Sequence, residues 1–313
     1  MALIETDMKI FSVIVTYNGM QWYNRCFSSL KDSVLPVQII VIDNSSSDGT
    51  AEFIKKNYSE IILIESKENL GFAKANNLGL KYALEHDANY VFLLNQDAWL
   101  NQPETISTLV DLSIKHPEYA ILSPLQLYGS GSKIENEVLM HFARNANSGF
   151  DFTSDLYFNR MKDIYSVLYA CAVCWLLPIN TIRNIGGFDP IFYHYGEDDN
   201  YIQRVKYWGF QIGICPTVSV SHDIETRAKE YREDNLDWKK YLLIQLGNIN
   251  CDLEMNVLLK SKLKMLIAQL LRLNRKLLRK SLPEYNYLKK IKKEIEYSRS
   301  QNKIKRANWL ENN

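Results

Sequence analysis

Residues 90–97, YVFLLNQD, run from an unbroken apolar stretch straight into Asn95, Gln96 and Asp97. A buried strand that delivers a carboxylate at its C-terminal end is how an open α/β sheet builds a ligand site in the crevice beyond its strands. Asp97 is therefore expected to contact a metal ion or a phosphate. Other apolar runs end in the same way. Thr16, Tyr17 and Asn18 close IFSVIVT, Asp43 to Asp48 follow QIIVI, Asn69 and Gly71 follow IILI, and His222 ends QIGICPTVSVSH. A further acidic cluster, Glu197, Asp198 and Asp199, lies in GEDDN. Adjacent carboxylates repel, and that repulsion lifts one of them toward the pKa of a useful base. Taken singly, Asp97 could be a turn residue, Asp43 with Asn44 an Asx turn, and Gly71 a tight strand-to-helix corner.

Strands and helices must bring these residues together. Residues 10–16 are a β-branched strand, and Trp22, Cys26, Phe27 and Leu30 repeat at helical spacing. A second strand over 38–42 precedes a helix capped by Ser47 or Asp48 and running to residue 58. A third strand covers 61–64, a helix 71–86 and a fourth strand 90–94. Strands alternating with helices at short intervals predict right-handed β-α-β crossovers and an α/β, doubly wound, mainly parallel sheet. In such a sheet the C-terminal strand ends share one edge, so residues remote in sequence converge there. Beyond residue 101 the rhythm loosens. The sequence predicts a helix over 103–115, a strand near 120–123, and hairpins and loops over the Gly- and Asn-rich 129–163. An apolar stretch at 167–177, a helix through 207 and a last strand from 211 follow, with helices from 236 onward.

The 313-residue chain carries 19 Tyr and 6 Trp and is long enough for one large α/β unit with an appendage. Its net charge of +1 hides an asymmetry: residues 256–313 hold 16 Lys/Arg against 4 Asp/Glu, leaving residues 1–255 at −11. The expected division is an α/β domain over 1–235, in two halves at 9–101 and 102–235, and a basic helical extension over 236–313. The extension mixes Leu and Met at helical spacing with Lys and Arg, which suits a helix packed on the domain, a homodimer contact, or an interfacial helix on anionic lipid. The body's negative charge argues against nucleic acid as a partner. Residues 1–9 lack a basic and apolar leader, and no run approaches about 18 apolar residues. The expectation is a cytoplasmic protein, with a peripheral position on the inner face of the plasma membrane if the tail binds lipid. Its 5 cysteines are set mostly in apolar runs, as reduced buried thiols are, and the Cys171/Cys174 pair looks like strand packing.

A sugar nucleotide needs an acceptor for the pyrimidine N–H, a counter-ion for the diphosphate and a base near the reacting carbon. Asp43 can supply the first, Asp97 with His222 can hold a hard divalent cation, and a GEDDN carboxylate can take the acceptor's proton. VIVTYN, VIDNSSSDGT, ENLGFAKANNLGL, LLNQDAWL, GGFDPIFYHYGEDDNYIQR and WGFQIGICPTVSVSH, in this order, resemble the family 2 inverting glycosyltransferases of GT-A fold. Among these they are most similar to the rhamnosyltransferase-like enzymes of bacterial surface polysaccharide assembly. The resemblance implies that Thr16, Tyr17, Asn18 and Asp43 line the nucleoside pocket, with Asn69, Gly71 and Asn77 close by. It places Asp97 on Mg2+ or Mn2+ and the diphosphate, with His222 joining that site, and makes Asp198 the general base, supported by Glu197, with Arg204 on the same helix. Asn95 stands where the family's first D-x-D carboxylate would be, which implies a weakly bound metal. A dTDP- or UDP-linked donor and a glycan or polyprenyl-linked acceptor follow from the same resemblance. A sugar-nucleotide pyrophosphorylase would require a glycine-rich basic loop after the first strand, which TYNGMQWYN lacks. A catalytically degenerate nucleotide-sugar or glycan binder is the remaining alternative.

Overall fold

The computed structural model describes residues 8–144, 146–225 and 238–311. The leader reading of residues 1–7 and the 235/236 boundary lie outside the described residues. The chain alternates β1 (Ile10–Thr16), α1 (Tyr23–Lys31), β2 (Gln38–Asp43), α2 (Thr50–Asn57), β3 (Ile62–Glu65), α3 (Gly71–Glu85) and β4 (Tyr90–Leu94). It continues through β5 (Ala98–Leu100), α4 (Thr105–Lys115), β6 (Tyr119–Tyr128), α5 (Asn136–Arg144), α6 (Ala146–Tyr157), β7 (Tyr165–Ser166), β8 (Cys174–Pro178), α7 (Ile179–Ile185), α8 (Glu197–Tyr207) and β9 (Gln211–His222). Three helices complete it: α9 (Trp238–Gly247), α10 (Met255–Leu271) and α11 (Arg275–Asn302).

One sheet in the order β3-β2-β1-β4-β8-β6-β9-β5, with β7 beside β9, forms the centre. Strands β1 to β4 pair in parallel, β8 runs antiparallel between β4 and β6, and β9 pairs in parallel with β6. The sheet is therefore mixed but mostly unidirectional. The β-branched alternation in β1, β2 and β4 fills both faces: Val13, Ile40, Ile42 and Leu93 face one apolar layer, Ile14, Ile39, Val41 and Phe92 the other. Burial on two faces explains why these strands read as continuous apolar runs.

Several expectations are corrected here. Residues 129–163 open with one tight hairpin, Leu127 bridging Ile134, and then form two helices where loops were expected. The Gly and Asn content suggested turns, yet Val138 and Phe142 recur at helical spacing, are buried in the main core, and Phe142 stacks on Phe152 at 4.2 Å between ring centroids. Tertiary burial outweighs the weak local propensity there. Cys171 and Cys174, expected together in strand packing, do not share a strand. Only β8 continues from Cys174, and Cys171 sits in the connection before it. Helix α2 is capped at Gly49, with Asp48 one residue earlier accepting from the Thr50 N–H at 3.1 Å.

The C-terminal helices are held by a smaller apolar cluster of Leu246, Met255, Leu288, Ile291 and Ile295. The end of α11 also docks on the sheet domain. The buried Asp189 of GGFDP accepts from Ser298 Oγ at 2.5 Å and Asn302 Nδ2 at 2.7 Å, and the Gly187 N–H donates to the Asn308 carbonyl at 2.8 Å.

Candidate active site

Register alone assembles the first part of the site. Thr16 and Asp43 are direct partners at the ends of β1 and β2, and β4 ends one strand away. Asp43 is buried. Its Oδ2 accepts from the Ser46 N–H at 3.1 Å, whereas Oδ1 is enclosed with no hydrogen-bond partner among the described residues. A buried carboxylate oxygen left without a donor costs free energy unless a ligand supplies one. Asn18 holds the neighbouring loops together: its Oδ1 accepts from the Ser47 N–H at 2.8 Å, and its own N–H donates to Ser46 Oγ at 3.0 Å. The Tyr17 ring stands exposed beside it.

Gln96 joins this pocket to the metal-site candidates. Its Oε1 accepts from Thr16 Oγ1 at 2.8 Å and from the Tyr17 N–H at 3.0 Å, and its Nε2 donates to the Tyr17 carbonyl at 3.2 Å. A Cβ on Gly19 would lie 2.1 Å from Gln96 Oε1, so a side chain there would displace the link. The Asn95 N–H donates to the Val173 carbonyl at 2.8 Å, and its carbonyl accepts from Ala98 at 3.1 Å, closing the turn that presents Asp97.

Pairing of β5 with β9 sets Ala98 opposite His222 and so brings Asp97 against it. His222 Nε2 lies 3.5 Å from Asp97 Oδ1, and Nδ1 lies 2.8 Å from Glu135 Oε1. All three are buried. Burial works to lower the His222 pKa, but the hydrogen bonds and charges of Asp97 and Glu135 outweigh it and carry the ring up to about 9. A carboxylate on the far ring nitrogen is the arrangement that fixes a metal-binding histidine's orientation. No group of three His, Cys, Asp or Glu poised to hold a metal occurs among the described residues. Asp97 and His222 are the two side chains here that could hold a hard divalent cation between them, provided the cation displaces the proton that the raised His222 pKa otherwise retains.

The carboxylates of GEDDN begin α8, after Tyr195 and Gly196 turn the chain through positive φ. Asp198 is half-buried and accepts from the Tyr169 hydroxyl, from Cys171 Sγ at 3.9 Å and from the Asp199 N–H at 2.9 Å. Burial raises its pKa above the ordinary Asp range, against the hydrogen bonds from Tyr169 and the backbone of Asp199 and Ala172. Burial and then the Asp198 charge keep the Tyr169 hydroxyl protonated, so it remains the donor. Glu197 is buried, its Oε2 lacks a hydrogen-bond partner among the described residues, and burial followed by the Asp198 charge pushes it up to about 8. The same connection carries Val173, which holds Asn95, and Cys171 feels the charges of both Asp198 and Glu135.

Other predicted residues are placed differently. Asn69 Oδ1 accepts from Asn44 Nδ2 and the Gly71 N–H, both at 2.9 Å, which shapes the β3–α3 corner. Gly71 has φ +75°, and a Cβ there would meet the Tyr193 carbonyl at 2.1 Å. Asn77 spends both ends of its amide on the Phe188 backbone, at 2.8 and 2.7 Å, and so clamps GGFDP. Arg204 is wholly buried and donates to the Ile185 and Gly187 carbonyls, at 2.8 and 2.6 Å, bracing the same segment. Glu135, Tyr169 and the Cys171 contact escaped the sequence reading. Glu135 reaches His222 only because β6 lies beside β9, pairing Tyr128 with His222, and Leu127 bridges Ile134. Two cavities of about 280 and 210 Å³ lie among the C-terminal helices, and none of the strand-end residues lines either. The candidate site rests on the Asp43 and Glu197 oxygens that lack partners among the described residues and on the Asp97–His222 contact, not on these hollows.

Residues 12–177 match the model of the glycosyl transferase family 2. Asp198 and His222 lie beyond that match. The chain is 23% identical to the low-salt glycan biosynthesis hexosyltransferase Agl10 of Haloferax volcanii, over 74% of this chain and 73% of that protein. It is 25% identical to the N-acetylglucosaminyl-diphospho-decaprenol L-rhamnosyltransferase of Mycobacterium tuberculosis, over 67% and 74%. Its fold is similar to that of S. aureus TarS 1-349 in complex with UDP, at TM-score 0.56 and 15% identity over 79% of this chain and 67% of that one. The mannosyltransferase PcManGT of Pyrobaculum calidifontis, in complex with GDP-Man and Mn2+, is similar at TM-score 0.54 and 16% identity, over 78% and 64%. The family match spans more than half of the chain, and the fold agrees with it: this protein belongs to the family 2 glycosyltransferases.

Proposed function

We propose that the chain moves a sugar, rhamnose-like or another hexose, from a dTDP- or UDP-linked donor to a glycan or polyprenyl-diphosphate-linked acceptor with inversion. Residues 1–235 act as the catalytic unit in this reading and 236–313 as its extension. The observation that supports it most is the buried, unpartnered Asp43 Oδ1 beside Thr16. Uracil and thymine carry an N–H that matches such an acceptor, and the exposed Tyr17 ring is placed to stack on the base.

Asp97 and His222, with Glu135 steadying the imidazole, would hold Mg2+ or Mn2+. The cation would supply charge neutralisation for the leaving diphosphate. Asp198 takes the acceptor hydroxyl's proton as that oxygen bonds to the anomeric carbon. The bond from carbon to diphosphate breaks on the opposite side, and the nucleoside diphosphate leaves. Tyr169 fixes the orientation of the base, and burial gives its carboxyl more proton affinity than an exposed Asp. The rhamnosyl and hexosyl transferases among the relatives favour this donor class.

A thermal-shift panel of nucleotide sugars tests the donor, followed by donor hydrolysis with and without Mn2+. Stabilisation by dTDP- or UDP-sugars with Mn2+-stimulated hydrolysis is expected. A preference for purine nucleotides would overturn the Asp43 assignment. Binding with no turnover on any acceptor would favour the degenerate binder.

A further inference from the structure

Helices α10 and α11 fold back on one another as an antiparallel hairpin, held by Lys262 Nζ to Glu284 at 2.7 Å, Gln269 Nε2 to Ser281 at 3.2 Å and Lys292 Nζ to Asn256 at 2.6 Å. Its base is buried in the C-terminal cluster, but its tip is not. Ile267, Leu270, Leu271, Leu273 and Leu277 are all exposed there, Leu271 at 79% and Leu273 at 81%. Exposed leucines scattered singly require no explanation, whereas several gathered at one projecting turn do. Leu273 also sits at φ +53°, a conformation that glycine or asparagine adopts at less cost. Neither folding nor local backbone preference accounts for a leucine at that position.

Charge identifies what covers it. Arg272, Arg275, Lys276, Arg279 and Lys280 surround the leucines, and residues 255–283 contain no Asp or Glu at all. The rest of the chain is at −7, with residues 1–255 at −11 and residues 284–313 at +4. A second copy of this tip would bring cations against cations, so self-association through it is disfavoured. No helix among the described residues is long and apolar enough to cross a membrane. Apolar side chains ringed by cations, on helices too charged to span, fit the surface of an anionic bilayer, with leucines below the headgroups and cations among them.

We propose that the α10–α11 tip is a membrane anchor that docks on anionic lipid and holds the acidic catalytic body away from the surface. The inference stands apart from the donor and acceptor proposed above. Body and tip have opposite charge, so an anionic surface attracts one end and repels the other, which also sets orientation.

The test is co-sedimentation of the full chain with phosphatidylcholine vesicles, with and without about one-third phosphatidylglycerol. Binding to the anionic vesicles alone is expected, weakened by salt. The double variant Leu271→Ser, Leu273→Ser should bind them at least about a hundredfold more weakly, since it removes two side chains from the apolar layer. Arg275→Gln with Lys276→Gln should cost about fivefold per cation. Donor hydrolysis should be unchanged in both variants, which verifies the fold. Equal partition of the parent onto both vesicle types, no partition onto either, or unaltered binding by the leucine variant would overturn the proposal. A concentration-dependent dimer that the leucine variant loses, without vesicle binding, would make a second copy the occupant and overturn it as well.

Discussion

Asp43 and Asp97 stand at the ends of parallel strands that enter the sheet almost in sequence order, whereas Glu135, Tyr169 and Asp198 reach the same edge on segments that double back. In the first region a strand's length and its neighbour's register decide where a carboxylate sits: Thr16 beside Asp43, with β4 one strand away. In the second, antiparallel β8 and the late return of β9 do the placing, so that His222 meets Glu135 from 87 residues earlier in the chain. In the proposed reaction the first region would carry recognition and the second chemistry. One consequence is that damage to the first should appear mainly in donor affinity, and damage to the second mainly in turnover.

Asp198→Asn is the sharpest way to break that distinction. It keeps the Tyr169 contact approximately in shape but removes the basic oxygen, so kcat should fall by about 10³-fold with donor Kd nearly unchanged, measured by turnover and calorimetry. Equal losses in both would mean that the two regions do not divide the work. Asp43→Ala should do the reverse, weakening pyrimidine donor binding by about tenfold to a hundredfold through loss of a buried charge-assisted hydrogen bond. A kcat effect larger than the affinity effect would count against its assigned contact.

Gly71→Ala probes the backbone of the first region. Positive φ and a 2.1 Å approach to the Tyr193 carbonyl should cost about 1–3 kcal/mol of stability, read by denaturant melts. Glu135→Gln keeps a hydrogen bond to His222 but removes the charge, and Mn2+ affinity should drop up to about tenfold, read by metal titration. No change would confine the metal site to the first region.

A pH-dependent test concerns Glu197, whose pKa burial raises from 4.5 to about 8. The folded state then holds a proton that the unfolded state releases, so stability is fully present below about 4.5 and is lost as pH rises through about 8. Glu197→Gln mimics the neutral form. It should flatten the fall in Tm between pH 5 and pH 8, roughly the window set by the two values, and leave activity near the parent's below neutral pH. A large loss of turnover at those pH values would instead make Glu197 a direct proton carrier.

The strand-end residues of the first region were legible because a fully buried strand must be apolar along its length and can turn polar only where it leaves the sheet. Residues 10–16, 38–42 and 90–94 announce their own ends, and the order of the motifs announces the family. Residues 129–163 were not legible, because Gly and Asn favour turns locally while Val138 and Phe142 are drawn into the distant core. Asn77 and Arg204 fell within recognisable motifs, yet their side chains brace GGFDP. A motif preserves the neighbourhood of a residue without saying which way its side chain points.

The amino-acid sequence by itself determined the alternation of strands and helices, the edge at which ligands gather, and the separation of an acidic body from a basic tail, because hydrophobic period and charge are local properties. Only the tertiary structure decided that Glu135 steadies His222, that Tyr169 and Cys171 hold Asp198, that Asp43 keeps one oxygen without a partner among the described residues, and that leucines and cations share a projecting tip. Those facts depend on which strands lie side by side and what each fold-back leaves exposed. Contacts between residues far apart in the chain are fixed by the three-dimensional sum of burial and pairing, not by any one segment.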